Sequence, residues 1–269
     1  MTAAAEVRPE LVERIARARQ NARNLGRLQF ALVWLAILVL VALVFVVSDN
    51  VDIAWIAEWA PYILGGTYLT VIVCVLSIIL ATALALIGAI GRLSTRPIPH
   101  AVASFYVSLV RGTPLLVQLY IAFFVLPQIS PILIWPALVT GVVALGFNYG
   151  AYMTEIFRAG IQAVPRAQVE AAQALGMPGP LIFRRIVLPQ AIRIVIPAIG
   201  NDFVSMIKDS ALVSTVGLQE LLWRAQKAGR PTLHTPEALI IAALVYWGLT
   251  IIFSFFQERL EHRMARGDR

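Results

Sequence analysis

Residues 62–91 read YILGGTYLTVIVCVLSIILATALALIGAIG, thirty positions without a charged side chain. A helix rises about 1.5 Å per residue and the hydrocarbon core of a bilayer is about 30 Å thick, so roughly 20 apolar residues cross it. This stretch is long enough to do so. A membrane-barrel strand would instead alternate polar and apolar residues over about 10 positions. Residues 30–47, 112–154 and 238–257 also lack any charge. Across all 269 residues, 59% are hydrophobic and 14% are charged, where a soluble domain has about a quarter charged. The fold class that follows is an all-α integral membrane protein.

The charges between the apolar runs set the topology, because Lys and Arg are retained on the cytoplasmic side. Arg8, Arg14, Arg17, Arg19, Arg23 and Arg27 place the N-terminal tail inside. The segment 48–61 has Asp49, Asp52 and Glu58 and no Lys or Arg, so it is an external loop. Arg92 and Arg96 return 92–100 to the inside, the short uncharged 127–133 lies outside, and five arginines between 158 and 193 lie inside. A less apolar span at 194–217 leads out and 237–257 leads back, to a tail carrying Arg259, Arg263, Arg266 and Arg269. The result is about six transmembrane helices with both termini in the cytoplasm. One segment breaks the pattern: 218–236 carries Arg224, Lys227 and Arg230 yet falls outside.

The N-terminal region lacks the short basic start and cleavage site of a signal peptide, so 30–47 is expected to be a retained anchor. Before it, Leu11, Ile15, Ala18, Ala22 and Leu25 recur at helical spacing among arginines. That pattern is a basic amphipathic helix, which either lies on an anionic leaflet or faces solvent or a partner. The basic residues flank apolar runs and so serve orientation; no nucleic-acid partner is expected.

Several chemistries have no support. There is no G-x-x-x-x-G-K-[ST] phosphate loop, and the two lysines, Lys208 and Lys227, do not follow a glycine. His100, His234 and His262 are scattered without metal-ligand spacing. The single cysteine, Cys74, lies inside an apolar run and is expected to be a small core residue. The expectation is a non-enzyme that takes any energy it needs from a partner or an ion gradient.

Between the fourth and fifth spans stands Glu170-Ala171-Ala172-Gln173-Ala174-Leu175-Gly176, followed nine residues later by Ile186-Val187-Leu188-Pro189. Gly176 suits a helix C-terminal cap, and Met177-Pro178-Gly179-Pro180 cannot continue the helix. The reading is two short helices around a turn, shaped either as a docking element or as an ordinary loop. The pattern E-A-A-x3-G-x9-I-x-L-P resembles the coupling loop of ABC importer permeases. Arg111-Gly112-Thr113-Pro114-Leu115-Leu116-Val117-Gln118, Asn148-Tyr149-Gly150-Ala151-Tyr152-Met153-Thr154-Glu155, Asn201-Asp202-Phe203 and Lys208-Asp209-Ser210-Ala211-Leu212 are similar to the polar amino acid subfamily. The likeness runs from about residue 62 to the end.

That resemblance implies a five-helix permease core at 62–257, with the coupling loop at 158–193, and residues 1–61 as an addition. It implies that Glu170, Ala171, Ala172, Gly176, Leu188 and Pro189 serve contact with an ATPase. It implies a partner ATPase dimer that binds ATP and Mg, a second permease subunit (identical or not), an extracytoplasmic amino-acid-binding protein, and residence in a bacterial cytoplasmic membrane. No cofactor is expected in this chain. The alternatives are another small solute as cargo, or an ion-gradient transporter.

Polar side chains within spans are costly and mark pathways or buried pairs. Asn148, Tyr152 and Glu155 share one helix face, Asn201, Ser205 and Lys208 repeat that spacing, and Gln118 follows Pro114 by four residues. These seven are the candidate substrate pathway. The other reading is that they tie helices together, for instance Glu155 to Lys208 or Arg158.

Overall fold

The computed structural model describes residues 20, 24–26, 28–37, 39–40 and 52–265. The chain divides into two compact units, Met1–Ile53 and Ala54–Arg269. In the first, residues 24–26, 28–37 and 39–40 are helical. The remainder of the expected anchor, 38 and 41–47, and most of the basic helix expected before residue 28 lie outside the described residues.

The second unit is built around a stripe of small side chains. In α2 (Thr67–Leu93), Thr70, Cys74, Ser77, Ala81, Ala85 and Gly88 are buried at helical spacing. Ala81 and Gly88 meet α6 (Ala137–Gln162) at Gly150 and Thr154, while Thr70 and Cys74 meet Glu220 and Met206. The α2–α6 contact is the most extensive helix pairing among the described residues. Small residues let two backbones approach closely, which is the main source of helix association where lipid removes the hydrophobic drive. Gly146 and Gly150 of α6 lie in this contact, against Leu80 and Leu84 of α2.

α1 (Ile53–Leu64) precedes α2. Sequence reading placed 48–61 in an external loop, but Trp55 and Ile63 are buried with Leu221, Ala225 and Ala228, and this packing supports a helix. α3 (Pro97–Arg111) ends at Gly112-Thr113-Pro114, and the chain resumes as α4 (Leu115–Tyr120), a π turn (Ile121–Val125) and α5 (Leu126–Ile129). The two arms are bent by 105°. The break falls at Pro114, which has no N–H and restricts Thr113.

After α6 come α7 (Arg166–Ala174), α8 (Gly179–Ile182) and a π turn (Phe183–Val187), then α9 (Leu188–Asp209). The expected span at 194–217 is divided. α9 ends at Asp209 and a 3-10 segment, Ser210–Val216, turns inward with Ser210 and Val213 fully buried. α10 (Leu221–Thr232) occupies the expected loop 218–236, and α11 (Thr235–Ala265) completes the chain. Ile53–Leu93, Ala137–Gln162 and Thr235–Met264 are long and apolar enough to cross a membrane, and the bent α3–α5 pair makes a fourth if it acts as one span.

The 3-10 segment seats against α6 at Gly141. A methyl group there would lie 2.4 Å from Val213 Cγ1, and Val213 has no exposed surface through which to retreat. Gly141→Ala is expected to cost about 1–3 kcal/mol by overpacking. Adding Val213→Ala removes the clashing carbon and leaves Cβ at an ordinary 3.4 Å. The double variant should therefore melt above the Gly141→Ala single variant in detergent. If Val213→Ala lowers the melting temperature equally in both backgrounds, the steric account is wrong.

Candidate functional site

The 158–193 segment folds as a small unit of its own. α7 ends at Ala174 with Leu175 as its cap, and Gly176 adopts φ +74°. The Gly176 N–H donates to Gln173 O at 2.9 Å and the Met177 N–H to Ala172 O at 3.1 Å. These are the two bonds of a Schellman cap, which needs a left-handed residue at this position. Nothing lies within 4 Å of a Cβ built on Gly176, so backbone conformation, not space, selects glycine there. Beneath the turn, Val164, Ala172, Ile182 and Val187 form a separate small core. Gln190 Nε2 donates to Gln168 Oε1 at 2.6 Å and ties the start of α9 to α7.

This architecture sorts the motif residues. Glu170, Ala171, Gly176, Leu188 and Pro189 are exposed, while Ala172 is buried and holds α7 to the turn. The resemblance assigned Ala172 to partner contact; its burial gives it the seating role. Leu175 stands beside the turn with 82% of its surface exposed. Motif reading passed over it because it occupies an unspecified position between Ala172 and Gly176.

The polar residues fall into three groups. Gln118 serves the break after α3: its Nε2 donates to Val110 O at 2.8 Å and to Thr113 O at 3.1 Å, which are carbonyls left without helical partners by Pro114. Its Oε1 accepts from Asn148 Nδ2 at 3.1 Å, so the bend is tied to α6 through two of the candidate pathway residues. Tyr152, one turn along, is 41% exposed and lies under the Arg111 guanidinium, 5.3 Å from its ring centroid.

Glu155 forms the second group. It accepts from Arg92 Nε of α2 at 3.0 Å and from Arg158 Nη2 at 2.7 Å. Of the pairs considered from sequence, the structure contains Glu155 with Arg158, and adds Arg92, which sequence reading had assigned to orientation alone. In the third group, Asn201 and Lys208 are exposed and Ser205 is half-buried on α9. Asp209 accepts from the Tyr149 hydroxyl at 2.8 Å rather than turning to its neighbour Lys208. Tyr149 and Asp209 were both present in quoted motifs, yet neither was singled out.

A pocket of about 360 Å³ opens in the crook of the bend, lined by Val110, Thr113, Gln118, Ala122, Val143 and Phe147. Gln118 is its one candidate pathway residue, and its walls are nearly all apolar. A larger groove of about 790 Å³ between α2 and α3 contains none of the seven. Thus Gln118, Asn148 and Glu155 are committed to other side chains, and Asn201, Tyr152 and Lys208 present polar groups outward. Among the described residues there is no cluster of His, Cys, Asp or Glu able to hold a metal.

A bundle of apolar helices with a broken span, polar groups on two faces and a separately folded loop defines a membrane transport component. Residues 81–266 match the family described as binding-protein-dependent transport system inner membrane component. The chain belongs to that family and is a permease subunit of an ABC importer. It is 39% identical to the arginine transport system permease protein ArtQ of Bacillus subtilis (strain 168), over 81% of this chain and 100% of that protein. It is 41% identical to the L-cystine transport system permease protein TcyB of the same organism, over 77% of this chain and 88% of that protein. Among solved structures, an amino acid ABC transporter crystallised with histidines matches with a TM-score of 0.75 and 37% identity, over 79% of this chain and 99% of that one. As a transport component, the chain leaves ATP hydrolysis to separate subunits.

Proposed function

We propose that this chain moves polar amino acids inward across a bacterial cytoplasmic membrane, as one of two permease subunits. An ATPase dimer binds ATP and Mg and docks on the exposed side of the 158–193 loop, and an extracytoplasmic binding protein delivers the cargo. About six spans, with both termini cytoplasmic, fit this arrangement. The observation that carries the cargo assignment is the identity to arginine and cystine permeases across most or all of those proteins' length.

In this reading α9 presents Asn201, Ser205 and Lys208 to the path, opposite a second permease subunit. An amino acid carries a carboxylate and an ammonium; Lys208 meets the first, and the amide and hydroxyl groups of Asn201 and Ser205 meet either. Gln118, Asn148 and Glu155 serve the path by fixing the bend and the α2–α6 junction, and Tyr152 borders it.

The experiment is uptake into proteoliposomes holding the permease, its ATPase and its binding protein, with MgATP inside. Radiolabelled arginine, glutamine and cystine are offered in turn. ATP-dependent accumulation of at least one is expected, with no accumulation when ATP is replaced by a proton or sodium gradient. Uptake driven by the gradient alone, or failure of all polar amino acids while another solute class enters, overturns the proposal.

A further inference from the structure

The three cations of 218–236, out of place for an external segment, do not share one role. Arg224 is consumed internally: Nη1 donates to Tyr62 O at 3.1 Å, Nε donates to Gln219 O at 3.2 Å, and the guanidinium sits 5.2 Å from the Tyr62 ring centroid. It fastens α10 to α1. Lys227 and Arg230 differ. α10 buries Leu221, Ala225, Ala228 and Gly229, and leaves Lys227 and Arg230 on the outward stripe. Neither forms an ion pair or a side-chain hydrogen bond with the described residues.

One turn further on is Leu233. It caps α10 with φ +61°, the only non-glycine with positive φ among the described residues, and 89% of its surface is exposed. The turn is well made: the Leu233 N–H donates to Arg230 O at 3.4 Å and the His234 N–H to Gly229 O at 3.0 Å. A glycine would close the same cap without the Cβ clash. The fold therefore keeps a leucine where both backbone and solvation disfavour it, beside two cations that pair with none of the described residues. The start of α10 packs on Gly66 at one end of α2, while Arg92 at the other end pairs with Glu155 beside Arg158, where the 158–193 loop begins, so the two surfaces lie at opposite ends of α2.

We infer that Lys227, Arg230 and Leu233 form the docking ridge for the extracytoplasmic binding protein, whose matching surface is an apolar recess rimmed by Asp and Glu. Opposite charge across such a rim steers encounter and fixes register, and a protruding apolar side chain supplies the desolvated anchor. Two basic side chains on an external segment, against the usual distribution of charge, are then accounted for by their partner. The family itself is binding-protein-dependent. The inference rests on the proposed topology, in which α10 is external.

Cys74 is the sole cysteine and is fully buried, so Lys227→Cys introduces one accessible thiol. Labelling of intact cells by a membrane-impermeant maleimide tests the topology first. Labelling only after the membrane is opened overturns both the topology and the ridge. The second measurement uses the assembled transporter and the binding protein that supports its uptake activity. The concentration of that protein giving half-maximal ATP hydrolysis is measured for Lys227→Glu/Arg230→Glu and, separately, for Leu233→Gly, which relaxes the turn and so preserves the fold. Each is expected to raise this concentration by about tenfold or more, and the charge-reversed variant should lose the wild-type dependence on salt. Unchanged half-saturation in both variants overturns the ridge while leaving the topology intact. So does a result in which only the requirement for anionic lipid in the vesicles changes, because the cations would then serve headgroups.

Discussion

Leu175→Asp is expected to abolish the stimulation of ATP hydrolysis by loaded binding protein in the assembled transporter, and to release the ATPase during co-purification. Leu175 is the most exposed large apolar side chain of the loop, well ahead of Phe183 and Leu188. A desolvated anchor of this kind is worth about 2 kcal/mol or more in an interface, roughly 30-fold in affinity. A carboxylate in its place adds the cost of burying a charge. Gly176 should act through a different cause. Its surroundings are empty but its φ is +74°, a region closed to β-branched side chains and open to asparagine. Gly176→Val should therefore unwind the cap, displace Leu175 and uncouple the complex, whereas Gly176→Asn should retain most coupling. Co-purification and stimulated hydrolysis measured on the three variants separate the two causes. If Leu175→Asp keeps both activities, the loop tip is not where the ATPase is held. If Val and Asn at 176 behave alike, the turn's backbone is not what positions it.

The apolar runs and the capped turn at Gly176 were legible, because each depends on local chemistry: absence of charge, a left-handed φ. What was illegible depends on which face meets which neighbour. Residues 53–61 carry Glu58 and Pro61 and resemble a loop in composition, yet Trp55 stacks on His234, 179 residues later in the chain, with ring centroids 5.0 Å apart. α10 was hidden for a similar reason, since only its contacts with α1 and α11 reveal that it is amphipathic about a buried side. Helical spacing put Asn148, Tyr152 and Glu155 on one face, but could not foresee that three different partners divide them: Gln118, Arg111, and the Arg92–Arg158 pair. Ala172 shows that one motif holds both surface residues and a residue buried beneath them.

Glu220 passed unremarked in the sequence and is fully buried in the structure, and its removal should cost more stability than any other single change considered. It caps α10, with Oε1 accepting from the Trp223 N–H at 2.9 Å. Oε2 accepts from the Tyr246 hydroxyl of α11 and lies 3.2 Å from Thr70 Oγ1 of α2. One carboxylate thus joins three helices, and Thr70 Oγ1 in turn accepts from the Leu221 N–H at 3.3 Å. Glu220→Ala leaves these donors unsatisfied in a dry site, at about 1–3 kcal/mol each, and is expected to prevent accumulation of folded protein or lower its melting temperature sharply. Glu220→Gln keeps an acceptor for the cap and should be much milder. Burial raises the Glu220 carboxyl above its ordinary range, against the opposing effect of the hydrogen bonds from Tyr246, Trp223, Leu222 and Thr70. A raised folded-state value means that the native protein holds this proton more tightly than the unfolded chain does. The resulting stability is present below the ordinary carboxylate pKa of about 4.3 and is lost as pH rises through the folded-state value. The difference in melting temperature between wild type and Glu220→Gln in detergent isolates this group from the other carboxylates. It should shift against wild type as the pH is raised from about 4.3, then level off. Parallel curves for the two proteins across that range would mean that Glu220 does not change its protonation on folding, and equal losses for Gln and Ala would mean that the carboxylate's bonds do not hold the three helices together.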